Sequence, residues 1–177
     1  MIGVVVPAHN EEALLPRSLG AILEASRHEA LGGEPVRIVV VLDACTDGSA
    51  AIARAHGIDT LTVKARNVGL ARAAGANLLL AAGARWLAFT DADSHVSAGW
   101  LVAQLAQKAD AVCGSIMVDD WSEHPHSVRE YFRKTYVDAD GHRHVHGANL
   151  GVSADAYRRA GGFPRFNAER TSHWLTG

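Results

Sequence analysis

The sequence has little cysteine and no excess of positive charge, and each shortage excludes a class of protein. Cys45 and Cys113 are the two cysteines among 177 residues. They are too few and too far apart for a disulfide framework or a cysteine zinc site, so we expect free, buried thiols. Lys and Arg total 17 against 19 Asp and Glu, a formal net charge of −2. A protein that neutralises nucleic-acid phosphates needs a basic excess, so that class is excluded.

Long hydrophobic runs are also absent. No apolar stretch reaches the roughly 20 residues that span a bilayer. The short apolar stretch at the N-terminus lacks the preceding basic region of a signal peptide. We therefore expect a cytoplasmic protein, with peripheral contact at the inner face of the membrane as an alternative. Hydrophobic residues make up 48% and charged residues 20% of the chain. These are globular proportions, and a single domain over residues 1–177 is the simplest prediction.

The order of apolar patterns predicts an α/β fold. Uninterrupted apolar runs indicate strands that are covered on both faces, and apolar residues three and four apart indicate helices. The predicted strands of the first half are 2–7, 36–42, 60–63 and 85–89. The predicted helices between them are 11–26, 49–56 and 69–82. This alternation is typical of a doubly wound, mainly parallel sheet flanked by helices.

The second half is less regular. Its predicted elements are a helix at 97–107, a strand at 111–118, an amphipathic helix within 119–136, a strand at 142–150 and a short helix at 153–160. Ser153 is a plausible N-cap for the last helix, which Gly161 and Gly162 close.

Asp91 and Asp93, which follow the apolar run 86–89, form the most informative motif. Side chains two residues apart in extended chain point the same way, so these carboxylates can converge on one cation. Oxygen ligands of this kind suit Mg²⁺ or Mn²⁺, with phosphates and water completing the coordination shell. On its own the pattern is more typical of a polar turn that caps the following helix.

Polar residues also follow the other predicted strands, and together they favour the ligand site over the turn. The carboxyl ends of parallel strands meet at one edge of the sheet, where such folds bind ligands. A single polar loop fits a helix cap, whereas four in succession are better explained by one shared site. The three other loops are residues 7–12, 43–49 and 66–72.

The residue types in these loops indicate a nucleoside diphosphate. Asp43 can accept hydrogen bonds from a base, and Glu11 can meet a ribose hydroxyl. Asn67, Gly69 and Arg72 offer small size, an amide and a cation near a diphosphate. No glycine-rich phosphate loop is present, so neither a dinucleotide nor a P-loop nucleotide is indicated. A phosphate bound without such a loop needs a metal, which the Asp pair supplies.

These motifs together resemble the family-two glycosyltransferases of the GT-A fold, over residues 2 to about 164. The segments are Pro-Ala-His-Asn-Glu-Glu (7–12), Asp-Ala-Cys-Thr-Asp-Gly-Ser (43–49), Asn-Val-Gly-Leu-Ala-Arg-Ala-Ala-Gly (67–75), Asp-Ala-Asp (91–93) and Gly-Gly-Phe (161–163). The resemblance implies a hexosyltransferase-type enzyme with a nucleotide-diphosphate sugar donor, Mg²⁺ or Mn²⁺, and inversion at the anomeric carbon. The hydroxyl acceptor would be a glycan, a lipid-linked molecule or a small molecule.

The resemblance also implies roles for single residues. Asp91 would contact the ribose or sugar, and Asp93 the metal, with Asp91 and His146 as further candidate metal ligands. The segment Gly147, Ala148 and Asn149 resembles the one beneath the donor sugar and acceptor. The implied nucleotide-sugar site comprises Pro7, Ala8, His9, Asn10, Glu11, Asp43, Arg66, Asn67, Gly69, Arg72, Asp91, Ala92 and Asp93.

The chain departs from the family pattern after Gly-Gly-Phe. The family has a Glu-Asp pair shortly afterwards, and its Asp is the catalytic base, but this chain has Glu169-Arg170. Glu169 is therefore the candidate base, or else an exposed residue of an atypical tail, 165–177. We accordingly divide the chain into a nucleotide-binding half, 1–95, an acceptor-side half, 96–164, and this tail.

Two alternative functions follow. A chain with an altered C-terminal region fits a nucleotide-sugar-binding protein without turnover, and its missing later helices would leave an apolar patch that favours a homo-oligomer. A nucleotidyltransferase is less consistent, because it would need a glycine-rich basic loop after the first strand. Residues 9–12 are acidic instead.

The sequence is rich in histidine, with ten residues. His142, His144 and His146 alternate, so they are predicted to share one face of a strand. With His124 and His126 they suggest a metal patch, but no cysteine or closely spaced carboxylate completes a standard zinc pattern. A polar strand face near the acceptor pocket is the favoured interpretation.

Overall fold

The computed structural model describes residues 1–122, 125–139 and 141–163. Within these residues, six strands form one sheet with helices on both of its faces. The strands are β1 Ile2–Ala8, β2 Val36–Asp43, β3 Asp59–Val63, β4 Trp86–Phe89, β5 Ala111–Cys113 and β6 Leu150–Ser153. The helices are α1 Leu15–Ser26, α2 Ser49–Ala55, α3 Val68–Ala81, α4 Trp100–Ala106, α5 His126–Thr135 and α6 Ala154–Arg159, with a 3₁₀ turn at Glu29–Leu31.

The strand order is β3-β2-β1-β4-β6-β5. Strands β1 to β4 are mutually parallel, whereas β6 runs antiparallel to both β4 and β5. The predicted α/β fold with a mainly parallel sheet is therefore confirmed. Because β1 to β4 run in one direction, the loops that follow them all emerge at the same edge of the sheet.

The apolar runs of the central strands are buried on both faces, as their unbroken hydrophobicity predicts. Alternate side chains of β1 point to opposite sides: Val4 and Val6 join a cluster with α1 and α4, whereas Val5 joins a cluster with α3. Tyr157 of α6 and Phe163 complete the α3 side. The ring of Phe163 meets the ring of Phe89 edge-on, with centroids 4.9 Å apart.

Helix α3 is fixed at its start and at its middle. Its N-cap is Asn67, whose side chain accepts a hydrogen bond from Leu70 N at 3.0 Å. Its middle lies against the sheet at Gly75, where an added Cβ would be 2.6 Å from Val5 and 2.8 Å from Val41. Only glycine permits this close approach.

The predicted strand at 142–150 is wrong. Residues 142–149 form irregular chain, and pairing begins only at Leu150. One local reason is that the backbone N–H of His144 donates to His142 Nδ1 at 3.1 Å, because a side-chain acceptor of this kind competes with a strand ladder. The predicted face of three histidines is therefore not a strand face, although their rings stack at centroid distances of 5.4 and 5.7 Å.

Other boundaries differ less. The strand predicted at 111–118 ends at Cys113, and the first helix begins at Leu15 rather than at residue 11. The short helix near residue 153 is confirmed, with Ser153 Oγ accepting from Ala156 N at 3.1 Å. Cys45 and Cys113 are free as predicted, but each is half-buried rather than buried. None of the helices in the described ranges has the length and apolarity that crossing a membrane requires.

Candidate functional site

A cavity of about 770 Å³ opens at the edge of the sheet where β1 to β4 end. Every residue of the predicted nucleotide-sugar site except Gly69 lines it. These residues are Pro7, Ala8, His9, Asn10, Glu11, Asp43, Arg66, Asn67, Arg72, Asp91, Ala92 and Asp93. The structure therefore brings together the four polar strand ends that the sequence analysis singled out.

Four further residues line the same cavity without having been predicted: Ala44, Thr46, Val68 and Ala71. Ala44 and Thr46 belong to the loop 43–49, so their position in that loop was a usable signal. Val68 and Ala71 lie in the first turns of α3, and apolar helix residues of this kind give no sequence signal for a ligand site.

The cavity loops hold an unusual backbone conformation. Asn10, Ala44 and Arg66 have φ values of 57°, 52° and 47°, in the left-handed region. Outside glycine this conformation costs about 1 kcal/mol or more per residue, least for Asn, and it persists only where surrounding contacts impose it. Each of the three follows closely on a strand end, so the cavity rim is preformed by constrained chain.

Asp43 supplies much of that constraint. Its carboxylate is buried, with 4% exposure, and accepts backbone N–H groups from Ala65 at 2.7 Å and from Arg66 and Asn67 at 2.8 Å. These bonds hold Arg66 in its left-handed conformation and place Asn67 at the start of α3. Asp43 is thus the anchor of the third cavity loop, a role that its sequence position did not indicate.

The first two loops are interlocked by hydrogen bonds. His9 Nδ1 donates to the carbonyl oxygen of Asp43 at 2.6 Å, since a carbonyl only accepts. Asn10 Oδ1 accepts from Thr46 N at 2.7 Å, and Glu12 Oε2 accepts from Gly48 N at 2.6 Å. The His9 bond uses Nδ1, so Nε2 is the ring nitrogen that remains for a bound molecule.

Arg72 projects from α3 into the cavity and forms an ion pair with Asp91. The two side chains are 12% and 33% exposed. The guanidinium lies directly against the backbone of Gly147, where any Cβ would overlap it. Residue 147 therefore touches the candidate site through Arg72, although it does not line the cavity.

The other two residues of the predicted acceptor-side segment lie elsewhere. Asn149 lines a second cavity of about 740 Å³, whereas Ala148 lines neither. The Asn149 amide accepts from Trp100 Nε1 at 2.9 Å and donates to the Ser115 carbonyl at 2.9 Å. These bonds attach residue 149 to α4 and to the chain after β5.

The cavity carries an excess of negative charge. The pKa of Glu11 is raised above its ordinary value of 4.5, first by partial burial and then by Asp93, Asp47 and Asp91, while His9 opposes the shift. Asp93 is exposed and accepts from Ser94 Oγ at 3.3 Å. Carboxylate oxygens that repel one another in this way suit a hard divalent cation.

Within the described residues, however, no group of three or more His, Cys, Asp and Glu side chains is arranged to hold a metal ion by itself. A cation bound beside Asp93 must therefore draw other ligands from a bound molecule and from water. His146 lines neither cavity, and its ring packs against His144 and Tyr136 at centroid distances of 5.7 Å. Burial and then His144 and His142 lower the pKa of His146. Glu169 and His124 lie outside the described residues.

Solved structures share this fold. A mannosyltransferase from Pyrobaculum calidifontis, in complex with GDP-Man and Mn²⁺, aligns with 23% identity and a TM-score of 0.64 over 92% of this chain and 47% of its own. TarS residues 1–349 from S. aureus align with 15% identity and a TM-score of 0.66, over 90% of this chain and 49% of the TarS chain. Glucosyl-3-phosphoglycerate synthase from M. tuberculosis aligns with 17% identity and a TM-score of 0.55, over 86% of this chain and 57% of the synthase chain.

The chain thus spans about half the length of these structures. No curated protein sequence matches it. The sequence profile of the family described as "Glycosyl transferase family 2" matches residues 3–161, which is most of the chain. This protein belongs to glycosyl transferase family 2.

Proposed function

We propose that the cavity at the ends of β1 to β4 binds a nucleotide-diphosphate sugar and that the protein transfers the sugar to a hydroxyl acceptor. The observation that carries this proposal is the gathering of all four polar strand ends around one preformed, negatively charged cavity. Structures of the same fold support it, since one holds GDP-Man with Mn²⁺ and TarS has been solved with UDP-GlcNAc.

The nucleoside would lie over the ends of β1 and β2. There His9 of the first loop lines the cavity together with Ala44 and Thr46 of the second. Asp43 acts by holding the third loop, which presents Arg66 and the start of α3 to the phosphates. An exposed arginine at this position offers planar, charge-assisted hydrogen bonds to phosphate oxygens.

Asp93 is the residue that would contact a divalent cation. Glu11 lies close to it, since partial burial and then the charge of Asp93 raise the pKa of Glu11. A bound Mg²⁺ or Mn²⁺ supplies charge neutralisation for the leaving diphosphate. The protein's own contribution is to fix Asp93 at the end of β4, next to buried Ala92, so that its carboxylate faces the cavity.

Transfer would be a single displacement with inversion. The acceptor oxygen forms a bond to the anomeric carbon, the bond from that carbon to the diphosphate breaks on the opposite face, and a carboxylate takes the hydroxyl proton. Glu169 remains the predicted base. Because the chain has Glu169-Arg170 in place of a Glu-Asp pair, donor binding without turnover is the second candidate function.

The test of donor binding is metal-dependent thermal stabilisation. GDP or UDP together with Mn²⁺ is expected to raise the melting temperature by several degrees, as ligand binding at saturation does. Asp93→Asn should remove the metal-dependent part of the shift and weaken nucleotide binding at least about tenfold, because the cation loses a charged ligand. The matched control is Asp155→Asn, an exposed carboxylate on α6. Equal stabilisation of wild type and Asp93→Asn would contradict the assignment.

A further inference from the structure

Arg72 has little freedom to move. Its helix is capped by Asn67 and pressed onto the sheet at Gly75, so the position of its Cα is set by the core. Its guanidinium is enclosed between the Asp91 carboxylate and the backbone of Gly147, and the side chain is 12% exposed. A cation held in this way is part of the cavity wall, whatever the cavity contains.

The two carboxylates of the Asp91–Asp93 motif differ because of this contact. Asp91 is paired with Arg72 and one-third exposed, whereas Asp93 is exposed and, among the residues that the structure describes, accepts only a 3.3 Å bond from the neighbouring Ser94 hydroxyl. An Asp–Arg pair has no net charge, so Asp91 offers a divalent cation much less attraction than a free carboxylate would. The motif therefore presents one strong metal ligand and not two.

We propose that Arg72 is a positioning residue that cancels the charge of Asp91 and thereby makes cation binding depend on the donor. With only one free carboxylate of the pair, the protein alone binds a divalent cation weakly, and the missing negative ligands come from a diphosphate. The proposal rests on the proposed function, because it concerns the same cavity. By linkage, the cation must strengthen nucleotide binding by the same factor by which the nucleotide strengthens cation binding.

The test measures the affinity for Mn²⁺ alone, by electron paramagnetic resonance, and the affinity for GDP or UDP with and without Mn²⁺, by calorimetry. Arg72→Met keeps the length of the side chain and removes its charge. It should bind Mn²⁺ alone at least about fivefold more tightly than wild type, since a second free carboxylate then faces the ion. The factor by which Mn²⁺ strengthens nucleotide binding should fall by a similar amount.

A merely structural role would give a different pattern, because a damaged cavity binds both ligands less well. The double variant Arg72→Met/Asp91→Asn restores the balance of charge, and its affinity for Mn²⁺ alone should return to within about twofold of wild type. Arg54→Met is the control. This exposed arginine of α2 does not line the cavity, and its removal should change Mn²⁺ affinity by at most about twofold.

The outcomes separate the two proposals. If wild type binds nucleotide more tightly with Mn²⁺ but Arg72→Met leaves both Mn²⁺ affinity and the coupling unchanged, the role of Arg72 is overturned and the proposed function stands. A weaker binding of Mn²⁺ by Arg72→Met would likewise overturn the role of Arg72 and leave the proposed function standing. If wild type binds no nucleotide diphosphate under any condition, the proposed function fails and the role of Arg72 fails with it.

Discussion

Single residues in the cavity are arranged at a cost in folding stability. Partial burial, and then the charges of Asp93, Asp47 and Asp91, raise the pKa of Glu11, so the folded protein disfavours the charged form of this residue. The free energy of unfolding therefore decreases as pH rises from about 4.5, the ordinary pKa of a glutamate, through the raised pKa of Glu11 in the folded state. At neutral pH the charged Glu11 therefore destabilises the folded protein in the absence of a bound cation.

Glu11→Gln should consequently stabilise the protein at pH 7, because it removes a charge that partial burial and then the neighbouring carboxylates disfavour. We expect the melting temperature to rise by no more than roughly 2–4 °C, because water screens part of the repulsion at a group that is only partly buried. Below about pH 4.5 the difference should vanish, since Glu11 is then protonated. The measurement is a series of thermal melts from pH 4 to pH 8 without metal.

The control for this series is Glu24→Gln, an exposed carboxylate on α1 outside the cavity. It should leave the melting temperature unchanged at every pH. Glu11→Gln should also lose part of the stabilisation that nucleotide diphosphate and Mn²⁺ give to wild type. A Glu11→Gln protein that is less stable than wild type at pH 7 would show that the carboxylate makes a favourable contact instead.

The sequence predicts which residues line the cavity better than it predicts what each of them does there. Polar side chains after apolar strands can be located from the pattern alone, and Asp91 and Asp93 illustrate this. The pattern did not indicate that the Asp43 carboxylate would accept hydrogen bonds from three peptide N–H groups, or that Ala44 would adopt a positive φ. Both depend on how two separate loops meet in space.

Among the elements, α3 fixes the position of one cavity wall, because Val68, Ala71 and Arg72 of this helix and its N-cap Asn67 line the cavity. Its contact with the sheet at Gly75 leaves no room for a methyl group beside Val5 and Val41. Both valines belong to central strands and are fully buried, so neither can move aside without disturbing the core.

Gly75→Ala should therefore destabilise the protein by about 1–3 kcal/mol, the usual cost of overpacking a core, despite the better helix propensity of alanine. Urea unfolding followed by circular dichroism measures the change. Gly20→Ala in α1 is the matched control, since Gly20 is exposed and an added Cβ there would meet nothing within 4 Å. This variant should gain about 0.5–1 kcal/mol. Equal stability of Gly75→Ala and wild type would mean that α3 can shift away from the sheet.

The elements of the first half were predictable because each has a complete local signal. Strands covered on both faces and helices with one apolar stripe carry their period in the sequence. Residues 142–150 failed for the opposite reason. Their alternation of histidine with other residues imitates a strand, but a strand requires a pairing partner, and β6 pairs with β4 and β5 only from Leu150 onward.

At the scale of the whole molecule, the proposed donor binding and the proposed transfer depend on different parts of the chain. The proposed donor cavity is lined by residues between 7 and 93, whereas the second half joins the sheet through antiparallel β6 and touches the cavity wall where Gly147 meets Arg72. The family assignment rests on residues 3–161, and the predicted base Glu169 lies beyond them. Donor binding and turnover should therefore be separable by mutation.

Glu169→Gln tests that separation. The release of nucleotide diphosphate from GDP-mannose and from UDP-N-acetylglucosamine is measured with and without a hydroxyl acceptor such as a methyl glycoside. If Glu169 removes the acceptor proton, Glu169→Gln lowers kcat at least about a hundredfold, while the thermal shift with nucleotide diphosphate and Mn²⁺ stays equal to that of wild type. An unchanged kcat would place the base elsewhere. A wild-type protein that binds nucleotide but releases none from either donor would instead be a donor-binding protein, since an intact cavity at the strand ends secures binding and not the proton transfer.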